Sequence, residues 1–239
     1  MKKSARVTEA LSWLESHSST RIRDEYEPRY GITTTKAFGV AMRDILALGK
    51  QLGRDHELAL ALWDTGWYEA RLLTAYVDDP ALVTAAQMDR WARDFDNWGV
   101  VDTVCFSLFD RTPHAWRKVD QWSRRRDEYV RRAGYVLLAC LALHDKKTGD
   151  EPFLRSLPLL EKGAADDRNF VTKGVSWAIR SIGRRSRVLA TATTEMAERL
   201  AASTDAAPRA VGRLALKDLQ GIRQKRGAEP SRARTARST

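Results

Sequence analysis

The sequence predicts an all-α chain of short helices stacked as repeats, and three observations carry this reading. Apolar residues recur at three- and four-residue spacing almost throughout, with little of the alternation a strand requires. Proline and glycine are few and fall mostly between the periodic blocks. Similar segments recur at about the length of a two-helix repeat. Taken in order, the blocks predict helices near 4–17, 20–29, 35–50, 54–63, 67–77, 80–94, 97–110, 113–125, 127–144, 151–164, 168–184, 186–202 and 207–219. Asp79-Pro80, Thr112-Pro113 and Glu151-Pro152 read as helix starts, because proline suits a first helical turn.

The repeat emerges when four segments are aligned: Trp67 to Arg71, Trp98 to Asp102, Glu128 to Arg132, and Asn169 to Lys173. Their last residues are 31, 30 and 41 positions apart. A unit of that size cannot bury its apolar face alone, so neighbours must stack. The expected architecture is a HEAT-like helical-repeat solenoid over residues 1–220, with 221–239 as a disordered basic tail. The alignment places Arg71, Asp102, Arg132 and Lys173 in one column, which in a solenoid lines a concave surface. Three are cations, and cations in register along a curved face can follow a phosphate backbone.

Composition sets the bounds. Hydrophobic residues make up 43% and charged residues 30%, as expected of a folded domain. No apolar run approaches the ~20 residues of a membrane span. The start, Met1 to Arg6 followed by Glu9, Trp13 and Glu15, has no apolar signal core, so a cytoplasmic location is expected, with no membrane partner. Cys105 and Cys140 sit in apolar helical runs and read as small buried hydrophobes. The four histidines are scattered. Neither a metal nor another cofactor is expected. The net charge is +10, and 221–239 holds six Lys/Arg against one Glu. The remaining excess of about five suits either a polyanion partner or a solvated surface.

Asp102 breaks the cationic column. It reads either as a salt-bridge partner of Arg132 or Lys173, or as an acid placed where positive charge develops in a reaction. Trp13, Trp63, Trp91, Trp116 and Trp122 have apolar neighbours at helical spacing and read as packing. Trp98 stands one turn before Asp102, and Trp177 one turn after Lys173. Two indoles flanking a carboxylate can enclose a sugar or a cationic group. The runs Arg124 to Arg126 and Arg184 to Arg187 read as solvated helix ends or as secondary phosphate contacts.

The chain resembles the AlkD-type DNA alkylation repair family, HEAT-like glycosylases that excise cationic N3- and N7-alkylated purines. The resemblance covers roughly residues 20–215. It rests on Tyr26 to Ile32 (YEPRYGI), Leu62-Trp63-Asp64 with Glu69, Asn97 to Asp102 (NWGVVD), Val130 to Ala133 (VRRA), and Phe170 to Trp177 (FVTKGVSW). It implies that Asp102 is the catalytic aspartate and that Trp98 and Trp177 are its active-site tryptophans. Arg132 matches an arginine that contacts DNA beside the lesion, and Tyr26 an N-terminal tyrosine near the same site. Arg71, Arg131 and Lys173 complete the expected DNA contacts. The implied partner is double-stranded DNA containing alkylated purines, bound by a monomer, and the implied reaction leaves the lesion stacked. Asp102 would stabilise the oxocarbenium-like sugar and position water. Gly99 departs from the family pattern and predicts a looser helix around Trp98. A non-enzymatic HEAT module that binds duplex or branched DNA is the alternative. A protein scaffold would explain the repeats but not the column with its single acid.

Overall fold

The computed structural model describes the backbone of residues 2–227 and the side chains of residues 4–219. Among the described residues the chain is helical with no strand. Its contacts divide between His144 and Asp145 into two compact units. The stretch read as one repeat domain, 1–220, contains both.

The first unit opens with α1 (Lys2–Ser16) and two short helices, α2 (Thr20–Asp24) and α3 (Tyr26–Tyr30). The single helix expected over 20–29 is therefore broken at Glu25. Next come α4 (Met42–Leu52), α5 (His56–Asp64), α6 (Tyr68–Val77), α7 (Ala85–Arg93) and α8 (Trp98–Ser107). A 3-10 turn (Phe109–Arg111), α9 (Ala115–Trp122) and α10 (Glu128–His144) complete it.

Side-chain caps set several of these starts. Asp55, Thr84 and Asn97 accept from the backbone N–H of Leu58, Gln87 and Val100, satisfying amides that a helix start leaves open. Two expected proline starts are corrected accordingly. Pro80 lies in a turn before the Thr84 cap, and Pro113 precedes the first residue of α9. Pro152 does sit in a first turn, that of α11.

The expected helix over 35–50 begins only at Met42. Residues 37–41 are extended instead, because a buried side chain, Glu69, takes the backbone N–H groups of Phe38, Gly39 and Val40. Gly39 has φ +81°, and a Cβ there would stand 2.2 Å from the Ser19 carbonyl oxygen. Only glycine lets the strap pass this close.

The helices α6, α8 and α10 pack side by side, with α5, α7 and α9 as their partners. The core between them is aromatic. Trp63 and Trp91 stack at 4.1 Å, with Phe109, Phe95 and Trp122 around them. Trp63, Trp91 and Trp122 are all buried, as their spacing predicts, whereas Trp13 and Trp116 are half-buried. Burying such rings contributes several kcal/mol each to the folding drive, roughly 25 cal/mol per Å² of apolar surface. Cys105 and Cys140 are buried in the same unit, and burial pushes both thiols up.

The second unit comprises α11 (Glu151–Ala164), α12 (Asn169–Gly183), α13 (Arg187–Ala201) and α14 (Ala206–Gly227). Phe153, Leu160, Val175, Ile179, Leu189, Met196 and Val211 form its core. Helix α14 continues past Gly221 into the stretch expected to be a disordered tail. Residues 228–239 of that stretch lie outside the described residues. No helix among the described residues is long and apolar enough to cross a membrane.

Candidate active site

Three of the residues singled out in the sequence come together in the first unit. Asn97 caps α8, which puts Trp98 at its first position and Asp102 one turn further along the same face. Arg132 lies at the equivalent place on α10. Its Nε donates to Asp102 Oδ1 at 2.9 Å and its Nη2 donates to Oδ2 at 2.8 Å. This is the bidentate geometry of an ionised pair. The salt bridge considered for Asp102 is therefore present, and its partner is Arg132.

The pair is nearly out of water: the Arg132 side chain is 6% exposed and that of Asp102 19%. Burial pushes the Asp102 carboxyl above the ordinary carboxylate range, and the adjoining guanidinium opposes that shift. A carboxylate offers about four lone-pair sites and Arg132 occupies two of them. One site on each oxygen remains to accept a water.

The half-buried indole of Trp98 is also fixed, because its Nε1–H donates to the Tyr30 carbonyl oxygen at 2.8 Å. Tyr30 ends α3, so the placement of this tryptophan depends on how the N-terminal segment is tied down. That tie is Glu69, which is fully buried in the first turn of α6. Its Oε1 accepts from the Tyr26 hydroxyl at 3.0 Å and from the amides of Gly39 and Val40 at 2.7 and 3.3 Å. Its Oε2 accepts from the Phe38 amide at 3.0 Å. The Tyr26 ring meets Tyr68 edge-on at 5.1 Å. Burial, then the charge of Glu69, pushes both phenols well above the usual tyrosine range, and Asp102 adds to the shift at Tyr68.

Gly99 belongs to this arrangement, and the expected looseness is corrected. The residue is buried, and a Cβ there would stand 2.5 Å from the Tyr68 hydroxyl oxygen. Glycine is used so that Tyr68 can close over the first turn of α8.

The other residues from the sequence reading have these surroundings. Arg71 lies over the Trp63 ring at 5.2 Å and reaches the Asp94 carbonyl at 3.2 Å and the Asp96 carboxylate at 3.7 Å. Tyr26 is buried, with its hydroxyl on Glu69. Arg131 is half-buried on α10. Lys173 and Trp177 lie on α12 in the second unit, where Lys173 is exposed with its amine 5.8 Å from the Phe170 ring and Trp177 is half-buried. Among the described residues no group of three or more His, Cys, Asp or Glu could hold a metal ion.

Sequence reasoning gave Glu69 no role and did not single out Tyr68. A glutamate inside the apolar run Trp67-Tyr68-Glu69-Ala70 is a signal that could have been used, since a buried acid must find donors. The Tyr30 carbonyl carries no sequence signal.

Comparison with known proteins agrees with this construction. The family model described as DNA alkylation repair enzyme matches residues 10–219. The chain belongs to the DNA alkylation repair enzyme family. A solved structure with a similar fold is described as a new family of proteins related to the HEAT-like repeat DNA glycosylases with affinity for branched DNA structures. It aligns with a TM-score of 0.77 at 18% identity, over 92% of this chain and 94% of that one. The fold of this family member is thus all-α and HEAT-like. No curated protein matches the chain.

Proposed function

We propose that this DNA alkylation repair family member hydrolyses the N-glycosidic bond of cationic N3- and N7-alkylated purines in duplex DNA, with Asp102 as its catalytic carboxylate. The observation that supports this reading is a carboxylate held by Arg132 in one orientation beside Trp98, with a lone pair left on each oxygen. An alkylated purine already carries positive charge, so it needs no proton to leave. The C1′–N bond breaks, its electron pair goes to the base, and the sugar becomes oxocarbenium-like. Water then adds at C1′ and gives up a proton, for which Asp102 is the acceptor. A fixed negative charge in a partly dry site stabilises the developing cation, and removing one such preorganised group costs on the order of 10²- to 10³-fold in rate. Trp98 packs on the deoxyribose, the lesion stays in the stack, and Arg132 is a positioning residue acting through Asp102.

A second reading, DNA binding without excision, is favoured by the same pair, because both Asp102 oxygens are already engaged by Arg132. The solved relative described as having affinity for branched DNA structures points the same way.

Incubation with DNA containing 7-methylguanine separates the two. Base release by the wild type that is lost in Asp102→Asn supports excision. DNA binding with no release at any enzyme excess rejects excision and leaves the binding module.

A further inference from the structure

The helices α7 and α9 enclose a cleft of about 430 Å³ that none of the site residues above enters; Asp89, Ala92, Arg93, Gln121, Trp122 and Arg125 line it, with Val130. The cleft lies on the edge of the unit that carries the Asp102–Arg132 pair. Arg93 and Arg125 flank the loops leading into α8 and α10, and the pair joins the first turns of those two helices. Val130 and Arg132 are two residues apart on α10, so they face opposite sides of its first turn.

The one acid in the lining is already neutralised. Asp89 receives the buried Lys118 ammonium at 2.6 Å and the Trp122 indole N–H at 3.0 Å, and these contacts hold its carboxyl below the ordinary range. What remains of the lining's charge comes from its two arginines. Among the described residues Arg93 has no ion-pair partner, whereas its neighbours Arg90 and Arg124 pair with Asp64 and Asp120. Arg125 meets only Asp127, at 3.3 Å, with both side chains more than half exposed. An exposed pair of this kind is worth ~0–1 kcal/mol, so another anion exchanges for it readily. Gln121 adds an amide.

We propose that this cleft binds a backbone phosphate of nucleic acid, with Arg93 and Arg125 as its grip. The inference rests on the DNA-binding part of the proposed function and extends it to a second contact on the edge of the unit. A phosphodiester suits the site: a single negative charge with acceptor oxygens, recognised by two guanidinium groups.

The test uses the full chain and fluorescence anisotropy of a short, labelled, undamaged duplex, titrated between about 50 and 200 mM salt. Replacing Arg93 and Arg125 together by Gln lowers the slope of log K against log salt by about 1.8, at about 0.9 per phosphate lost. The paired control is Arg21→Gln with Arg43→Gln, two exposed cations on α2 and α4 that remove the same charge. This control leaves the slope within about half of one contact. An unchanged slope in the cleft variant, with an unchanged Tm, overturns the inference, and so does an equal fall in the control. Calorimetry with inorganic phosphate supplies the other arm. Phosphate binding that the cleft variant loses, together with an unchanged DNA slope, makes the ligand a free phosphate and rejects a nucleic-acid site. A wild type that binds no DNA at all removes the proposed function itself, whereas DNA binding with an unchanged slope removes only the cleft.

Discussion

Replacing Arg132 by Gln strands the Asp102 carboxylate, and the consequences are specific enough to test. In the wild type, two hydrogen bonds of 2.9 and 2.8 Å hold a carboxylate that is 19% exposed. Breaking one partner out of a buried pair costs about 3–5 kcal/mol, and the residual exposure of Asp102 places this case near the lower end, about 3 kcal/mol. The cost depends on pH in a defined direction. Burial already raises the folded-state pKa of Asp102 above its unfolded value, and loss of the guanidinium removes the groups that oppose that rise. A carboxyl raised in this way destabilises the fold while it is charged, and the cost is relieved as pH falls through the folded-state pKa. The difference in unfolding free energy between wild type and Arg132→Gln, measured in urea, is therefore largest near about pH 8 and shrinks toward about pH 5. Asp102→Asn removes the stranded charge, so the double variant Asp102→Asn/Arg132→Gln recovers part of the loss, a coupling of about 1–3 kcal/mol. A pH-independent difference, or a double variant no more stable than Arg132→Gln, refutes the argument that a stranded charge is the cause.

Three further outcomes follow. Glu69→Gln leaves one acceptor oxygen where four donors converge, so the variant loses about 3 kcal/mol in denaturant melts, and the amides of Phe38 to Val40 exchange faster in deuterium. Gly99→Ala brings a methyl against the Tyr68 hydroxyl and costs about 1–3 kcal/mol; adding Tyr68→Phe restores part of it, and failure of that rescue argues against the contact as the cause. Trp177→Ala tests the sugar contact that the resemblance assigns to it: single-turnover release of 7-methylguanine falls by about tenfold or more while duplex affinity changes less, and an unchanged rate rejects the assignment.

The periodic part of the fold was legible because each helix writes its apolar face into the sequence. The blocks ending in α5, α6, α10 and α11 were placed within a residue or two. The strap at 37–41 was not legible. Its residues read as the start of a helix, and what prevents one is a carboxylate about thirty positions away. The site divides in the same way. Trp98, Asp102 and Arg132 could be aligned as repeat positions, since the repeat imposes equivalent places on α8 and α10. Neither the closing of Tyr68 on Gly99 nor the tethering of Trp98 to a main-chain oxygen follows from residue type, because both arise from tertiary approach. Gly99 shows the risk in a local rule: helix propensity marks it as a weak point, while packing makes it a fitted one.

The ion pair also removes the difficulty that Asp102 posed in a column of cations. A lone carboxylate on a DNA-binding face repels every phosphate within a Debye length, roughly 10 Å at moderate salt. Paired with Arg132 it acts on distant phosphates as a small dipole, whose net effect at about 10 Å is only about 0.5 kcal/mol before screening, at an effective dielectric of about 20. At contact the two charges no longer cancel. A cation about 4 Å from the carboxylate and about 8 Å from the guanidinium gains about 4 and loses about 2 kcal/mol on the same scale, a net gain of about 2. The pair is thus nearly silent toward the polyanion and attractive toward a positive charge developing beside it. That selectivity depends on Arg132 lying behind the carboxylate as seen from the sugar. Arg132→Lys, which keeps the charge but not the two-point hold, separates orientation from charge: excision falls while the stability change remains smaller than that of Arg132→Gln.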